Sequence, residues 1–154
     1  MEIERKFLVD EVPDLGAHES VPIEQGYLAL AADGGAEVRL RRRGDERLLT
    51  IKGGTGEVRA EEELEFDRER FESLWPLTEG RRVSKTRHLI PLGELTVELD
   101  VYEGELDGLV TAEVEFGSEA EADRFEPPAW LGREVTGDER YLNERLAIDG
   151  APSE

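Results

Sequence analysis

The first nine residues alternate charged and apolar side chains in a way that could support chemistry. Glu2, Glu4 and Lys6 occupy every second position and alternate with Ile3, Arg5 and Phe7. Successive side chains of a β-strand point to opposite faces, so the two carboxylates and the amine share one face. Carboxylate oxygens suit Mg²⁺ or Mn²⁺, and amines suit anions. Taken alone, the stretch is equally typical of an ordinary half-buried strand with a solvated side.

Later strand-like stretches repeat this pattern, and the repetition favours a functional face. Solvated sheet faces usually mix Thr, Ser, Gln and Lys, and their cross-strand ion pairs contribute only about 0.2–1 kcal/mol each. Here nearly every position of one parity is charged. The carboxylates are Glu2, Glu4, Glu61, Glu63, Glu98, Asp100, Glu113 and Glu115. The cations are Lys6, Arg39, Arg41, Lys52, Arg59, Lys85 and Arg87.

The elements that must position these side chains are mostly strands. Period-2 alternation and turn signals predict strands over residues 1–9, 23–30, 37–43, 47–52, 57–66, 83–92, 95–102 and 110–116. Asp67 predicts the start of a short helix containing Phe71, which Pro76 ends. Ser118 predicts a second helix. A third helical pattern lies around Leu146.

These elements predict an α+β fold, a closed eight-stranded antiparallel β-barrel (a tunnel) with helices packed on the outside. Closure removes exposed sheet edges and encloses a lumen that accommodates one small ligand. The apolar faces then point outward, beneath helices near Phe71, Phe125 and Leu146, and the charged side chains point inward. Burying unpaired charge is costly, so a lumen of mixed charge predicts water, metal ions and a polyanion. Arginine forks match phosphate oxygens, so the pattern indicates a metal-bound oligophosphate.

Composition limits the alternatives. The 154 residues suit one domain, which we place at residues 1–150 with a short tail at 151–154. A formal net charge of −19 argues against nucleic acid or an anionic membrane as partner. The absence of cysteine excludes disulfides and thiolate chemistry. No signal-like or membrane-length apolar run is found, which predicts a cytoplasmic protein. His18 and His88 are interpreted as incidental.

The ordered motifs resemble the CYTH superfamily, also called triphosphate tunnel metalloenzymes. The first of them, Glu2-Ile3-Glu4-Arg5-Lys6, is similar to the family's ExExK signature. The resemblance continues through Gln25-Gly26-Tyr27-Leu28, Val38-Arg39-Leu40-Arg41, Leu49-Thr50-Ile51-Lys52, Arg59 with Glu61 and Glu63, Lys85-Thr86-Arg87, Glu98-Leu99-Asp100, Glu113-Val114-Glu115, and Gly132-Arg133-Glu134-Val135-Thr136 with Tyr141 and Asn143. It implies an eight-stranded antiparallel tunnel that hydrolyses or cyclises triphosphates with divalent metal.

The resemblance also implies roles for individual residues. The implied metal ligands are Glu2, Glu4, Glu63, Glu113 and Glu115, with Glu61, Glu98 and Asp100 as further candidates. The implied phosphate-binding residues are Lys6, Arg39, Arg41, Lys52, Arg59, Lys85 and Arg87, together with Arg133 at a position where the family often has Lys. Lys6 and Tyr27 are the candidate catalytic residues. Tyr27 could accept a proton only if neighbouring cations lowered its pKa; otherwise it is a packing, hydrogen-bonding tyrosine.

The function that the mixed charges and this resemblance together imply is metal-dependent hydrolysis of inorganic tripolyphosphate, or a related triphosphate, with one or two Mg²⁺ or Mn²⁺ ions. The short chain leaves little room for a nucleoside pocket. The alternatives are a class IV adenylyl cyclase, a thiamine triphosphatase and a non-catalytic polyphosphate- or nucleotide-binding module. An acidic interaction domain would leave the paired cations unexplained. The expected partner is a triphosphate-containing small molecule, bound by a monomer or a homodimer.

Overall fold

The computed structural model describes residues 3–30, 35–55 and 58–153. Two of the predicted site positions are affected by these limits. Glu2 and the side chain of Arg59 lie outside the described part of the chain, so their predicted roles stay predictions.

Eight strands form one antiparallel sheet, as the alternation predicts. They are β1 (Ile3–Leu8), β2 (Glu19–Ala29), β3 (Glu37–Arg43), β4 (Glu46–Thr55), β5 (Val58–Glu65), β6 (Arg82–Leu92), β7 (Leu95–Tyr102) and β8 (Val110–Phe116). The hydrogen-bonded order is β1-β8-β7-β6-β2-β3-β4-β5. The predicted bounds of β3, β7 and β8 are confirmed, whereas β2 begins four residues earlier than predicted (Glu19 rather than Ile23).

Short helices connect or follow the strands. They are α1 (Arg68–Leu74), α2 (Glu119–Arg124) and α3 (Asn143–Asp149), with 3₁₀ turns at Trp75–Thr78, Gly104–Leu106 and Glu139–Tyr141. The predicted caps are confirmed: the Asp67 side chain accepts from the Arg70 amide and the Ser118 side chain from the Glu121 amide. Among the described helices, none is long and apolar enough to cross a membrane.

Strand register places the charged side chains on one face, hereafter the charged face. Lys6 of β1 is opposite Glu113 of β8, and Glu113 is opposite Glu98 of β7. Asp100 of β7 is opposite Arg87 of β6. The same face continues through the other half of the sheet, strands β2 to β5. There Arg39 and Arg41 of β3 are opposite Tyr27 and Gln25 of β2. Glu61 and Glu63 of β5 are opposite Lys52 and Thr50 of β4. The predicted parity is therefore confirmed across the sheet.

The opposite face of the sheet is apolar and carries most of the core. Phe7, Val97, Leu99, Val114 and Phe116 are buried there. Helix α2 covers this cluster, with Ala122 inside it and Phe125 against the rings of Phe7 and Phe116. Phe71 of α1 is fully buried and stacks on Trp75 with ring centroids 5.4 Å apart. The guanidinium of Arg42, which has the outward parity on β3, lies 5.5 Å from the Phe71 ring centre, so α1 is also on this face. Two of the three predicted outer helices are thus in the predicted place.

Helix α3 is not in the predicted place. Leu146 packs in one cluster with Tyr27, Val83 and Tyr102, whose register puts them on the charged face. The reason is that one end of this face is apolar and aromatic rather than charged. Helix α3 covers this apolar end of the charged face, hereafter called the α3 end. The prediction that Leu146 covers the outward apolar face was wrong, because its spacing identifies an apolar stripe without saying which face receives it.

The outer edge of β1 is occupied by residues 132–136, hereafter the return segment. The amide of Leu8 donates to the carbonyl of Arg133 (2.9 Å), and the amides of Gly132 and Val135 donate to Leu8 and Lys6 carbonyls (2.7 and 2.8 Å). Thr136 Oγ1 accepts from the Lys6 amide at 2.9 Å. These bonds use the edge that a directly closed barrel would pair with β5. The strand order of the described residues runs from β1 to β5 without such pairing, so the predicted eight-stranded antiparallel sheet is confirmed and its predicted closure into a barrel is not.

Candidate active site

Arg39 and Arg41 of β3 point onto the charged face because they share a parity on a regular strand. Arg41 Nε donates to Gln25 Oε1 at 3.0 Å. Burial, with the charges of nearby Arg39 and Arg87, lowers the pKa of Arg41 to about 10. The positive potential here is therefore only partly compensated, although Glu63 of β5 acts in the opposite direction. A polyanion would relieve this repulsion.

Arg39 is well suited to an additional acceptor. Its NH1 lies 3.8 Å from Glu37 Oε2, and its side chain is 12% exposed. Its Nε is buried and, among the described residues, has no hydrogen-bond partner. A buried donor left unpaired costs free energy, about 1–3 kcal/mol. A phosphate oxygen is an acceptor of the kind that this guanidinium requires.

Lys85, Asp100 and Arg87 form a buried ionic triad. Lys85 Nζ lies 2.8 Å from Asp100 Oδ2, and Arg87 donates through Nε and NH2 to Oδ1 and Oδ2 at 2.9 and 3.0 Å. Burial lowers the pKa of Lys85 to about 8, even though Asp100 opposes that shift. Burial alone would raise the pKa of Asp100, but the two cations lower it. Burial alone would lower the pKa of Arg87, but Asp100 raises it.

Carboxylates of β1, β7 and β8 lie towards the end of the charged face opposite α3, the open end. Glu4 is directly opposite Glu115, and Glu98 is directly opposite Glu113. Like charges in these positions destabilise a sheet unless cations lie near. Lys6 Nζ is 3.5 Å from Glu113 Oε1, and Arg87 NH1 is 2.9 Å from Glu98 Oε2. Glu98 and Glu115 also line a cavity of about 520 Å³.

The carboxylates of β5 are more exposed. Glu61 Oε1 lies 3.6 Å from Lys52 Nζ, with side chains 58% and 40% exposed. Glu63 is exposed on the same face of the strand. Within the described ranges, no three carboxylate or histidine side chains are gathered closely enough to form a ready cation site. The predicted ligands thus share a face but are divided between β5 and the strands β1, β7 and β8.

Tyr27 has the environment of a packed, hydrogen-bonded tyrosine. Its side chain is buried beneath the α3 end, and its hydroxyl accepts from Gln25 Nε2 at 3.0 Å. Burial raises the pKa of Tyr27 to about 12; the charge of Glu37 adds to this and Arg39 opposes it. A proton acceptor at neutral pH requires a shift in the other direction. Its predicted catalytic role stays a prediction.

Contacts from the C-terminal part of the chain reach two of the three lysines of the charged face, Lys6 and Lys85. Lys6 Nζ donates to the Tyr141 carbonyl at 2.6 Å, and Arg133 NH2 donates to the Tyr141 hydroxyl at 3.3 Å. Asn143 Oδ1 accepts from Lys85 Nζ at 3.4 Å and from the Tyr102 hydroxyl at 3.0 Å. In the sequence, only the family resemblance points to Tyr141 and Asn143. No local spacing indicates that residues so distant in sequence reach the same face.

Comparison with known proteins agrees with this architecture. The CYTH domain profile matches residues 1–146. An inorganic triphosphatase of Nitrosomonas europaea is 51% identical over 149 residues, covering 96% of this chain and 97% of that protein. An inorganic triphosphatase of Acetivibrio thermocellus is 40% identical, covering 94% and 92%. A crystal structure described as an inorganic triphosphatase is 47% identical, with a TM-score of 0.83 over 99% of this chain and 97% of that one.

The resemblance that the ExExK-like start and the alternating charges indicate is therefore confirmed over nearly the whole length. Profile, identity and fold agree, and the charged parity that carries the resemblance is the parity that the structure gathers on one face. The chain belongs to the CYTH domain family.

Proposed function

We propose that this protein hydrolyses inorganic tripolyphosphate to diphosphate and phosphate with a divalent metal ion. The observation that carries the proposal is a single sheet face with partly compensated arginines in its middle and paired carboxylates at its open end. The relatives with 51% and 40% identity are named inorganic triphosphatases, which supports the same reaction.

The phosphate cradle in this proposal is built from the cations of the charged face. Arg39 contributes an unpaired Nε, Arg41 a guanidinium held by Gln25, and Arg87 a guanidinium held by Asp100. Lys6 lies between the Tyr141 carbonyl and Glu113. The remaining members are Lys52, Arg59, Lys85 and Arg133. Preorganised cations stabilise the negative charge of a phosphoryl-transfer transition state without having to reorganise at the moment of reaction.

The metal-binding part of the proposal relies on donor chemistry. Glu4, Glu98, Glu113 and Glu115 present hard carboxylate oxygens in two directly opposed like-charge pairs, which suits Mg²⁺ or Mn²⁺. Glu2, Glu61 and Glu63 complete the proposed set. When bound, such an ion neutralises phosphate charge and activates water. Lys6, at 3.5 Å from Glu113, keeps that carboxylate on the charged face.

Closure of the barrel belongs to the same proposal. The open sheet leaves the β5 carboxylates on the opposite side of the charged face from β1. We propose that tripolyphosphate, bound by the lysines and arginines of the charged face, draws β5 towards β1 and is thereby enclosed. Exclusion of water strengthens each of these electrostatic contacts. Cytoplasmic location and a monomeric or homodimeric state also stay predictions.

The deciding experiment measures phosphate release from tripolyphosphate, ATP, thiamine triphosphate and diphosphate with Mg²⁺, Mn²⁺ or EDTA. Metal-dependent release that is strongest on tripolyphosphate is the expected result. Cyclic AMP from ATP, or faster release from thiamine triphosphate, would favour one of the alternative enzymes. No turnover of any substrate, combined with a higher melting temperature in tripolyphosphate, would indicate a binding module instead.

Variants of β5 provide a matched pair. Glu63 points onto the charged face and its neighbour Glu62, opposite Ile51, points to the apolar side. Glu63→Gln should lower metal-dependent turnover by about tenfold or more, whereas Glu62→Gln should leave it near wild type. Glu4→Gln should abolish turnover while leaving the fold intact. Equal effects of the two β5 variants would contradict the assignment of the face.

A further inference from the structure

Both carboxylate oxygens of Asp100, one of the predicted metal ligands, are already used. Oδ1 accepts from Arg87 Nε, and Oδ2 accepts from Arg87 NH2 and lies 2.8 Å from Lys85 Nζ. Its side chain is 2% exposed, and that of Lys85 is fully buried. By contrast, Glu4 and Glu115 are exposed.

A metal ion at Asp100 would have to displace one of these cations. Removing the carboxylate from Lys85 would leave a buried ammonium without the anion that compensates it, and removing it from Arg87 would break both bonds that fix the plane of the guanidinium. Breaking one partner out of a buried ionic group is strongly unfavourable. A metal ion on Asp100 would also lie against the positive charges of Lys85 and Arg87, which repel it, while Glu98 already balances Arg87 from the other side. The surroundings of Asp100 therefore disfavour a metal on this carboxylate.

We propose that Asp100 is a positioning residue that orients Arg87 and Lys85 towards the substrate, and that it is not a metal ligand. Its bidentate contact fixes the plane of the Arg87 guanidinium and leaves NH1 directed at Glu98, which lines the cavity. Lys85 is held between Asp100 and Asn143 of α3, whose Oδ1 also accepts from the Tyr102 hydroxyl. The row from α3 to the cavity is thus Asn143, Lys85, Asp100, Arg87 and Glu98.

This inference rests on the proposed function, since it takes Arg87 as a contact of the phosphate chain. It predicts opposite effects for the loss of two carboxylates of the same face, Asp100 and Glu4. Loss of a positioning carboxylate should weaken binding of the anion and leave metal affinity unchanged. Loss of a ligand carboxylate should weaken metal affinity and leave binding of the anion unchanged or stronger, because it removes a negative charge.

The test compares Asp100→Asn with Glu4→Gln in three measurements on the full chain: Mn²⁺ affinity without substrate, tripolyphosphate affinity in EDTA by calorimetry, and melting temperature. For Asp100→Asn we expect tripolyphosphate affinity to fall by about tenfold or more and Mn²⁺ affinity to stay within about twofold of wild type. Glu4→Gln should show the reverse. An Asp100→Asn protein that binds tripolyphosphate like wild type, or that loses Mn²⁺ affinity as Glu4→Gln does, would overturn the proposal.

A second variant covers the case in which Asp100→Asn does not fold. Asn143→Ala leaves all three charges of the triad in place and removes the acceptor that Lys85 shares with the Tyr102 hydroxyl. It should lower tripolyphosphate affinity by about threefold to tenfold. A purely structural role would move the melting temperature alone. If wild type binds tripolyphosphate without hydrolysing it, the proposed function fails, while these affinities still decide the role of Asp100.

Discussion

The contact between Arg5 and Glu134 should hold the return segment on β1, and a double-mutant cycle would measure its contribution. Arg5 donates through Nε and NH2 to Glu134 Oε2 and Oε1 at 2.9 and 2.6 Å. Thr136 Oγ1 donates to the same carboxylate at 2.6 Å. The bidentate geometry is favourable, but the Arg5 and Glu134 side chains are 22% and 36% exposed. We therefore expect a coupling free energy of about 1 kcal/mol rather than the larger value of a buried pair.

The two single variants should differ in cost. Arg5 NH1 also donates to the Ala122 and Phe125 carbonyls at 2.9 and 3.2 Å, and its guanidinium lies 5.8 Å from the Phe125 ring centre. Arg5→Met removes these contacts as well, so it should lower the free energy of unfolding by about 2–3 kcal/mol. Glu134→Gln keeps an acceptor for Arg5 and should cost about 1 kcal/mol.

Urea denaturation at pH 7 and at pH 3 would measure the cycle. Hydrogen bonding to Arg5 holds the pKa of Glu134 below its usual value of 4.5. A carboxylate whose pKa is lower in the folded state contributes stability above its unfolded pKa and loses it as pH falls through the folded pKa. The coupling should therefore be complete at pH 7 and much smaller at pH 3. A coupling below about 0.3 kcal/mol at pH 7, or one of equal size at both pH values, would refute this reasoning.

Three further predictions concern packing and ionisation. A Cβ on Gly26 would lie 2.5 Å from the Thr78 side chain, so Gly26→Ala should destabilise the protein by about 2 kcal/mol in urea denaturation, and an unchanged midpoint would contradict the contact. Leu146→Ala should lower the free energy of unfolding by about 3 kcal/mol, because the Leu146 side chain is only 1% exposed. Ile148→Ala on the same helix should lower it by under about 1 kcal/mol, because Ile148 is 38% exposed. Equal losses of stability would contradict the packing of α3 through Leu146. Because burial raises the pKa of Tyr27 to about 12, tyrosinate absorbance at about pH 10.5 should be lower in the folded chain than in urea, and Tyr27→Phe should reduce that difference.

The sheet could be predicted from the sequence because its signal is local. Alternation along β3, β7 and β8 gave both their bounds and the parity of residues such as Arg41 and Glu113. The caps at Asp67 and Ser118 depend on hydrogen bonds within one helical turn, which the sequence also shows.

The remaining features depend on contacts that no local pattern specifies. The return segment is too short to show a period, so its pairing with β1 was not predicted. Leu146 displays an apolar stripe without indicating which face of the sheet it meets. Asp100 and Glu98 share a parity, but only the structure shows that Asp100 is enclosed by two cations. His18 and His88, both interpreted as incidental, contact each other: Nε2 of His18 lies 2.8 Å from Nδ1 of His88, across 70 positions of sequence.

The pairing of β1 has a consequence for the order in which the molecule can assemble. On one side β1 pairs with β8, and on the other side with the return segment, so that Arg5 and Glu134 meet across 129 positions. During synthesis the first strand therefore has no partner until most of the chain has left the ribosome, whereas the β3–β4 and β6–β7 hairpins can form as soon as they emerge. The strand that carries Glu4 and Lys6 should be among the last to be ordered, and the active site should appear only when folding is nearly complete.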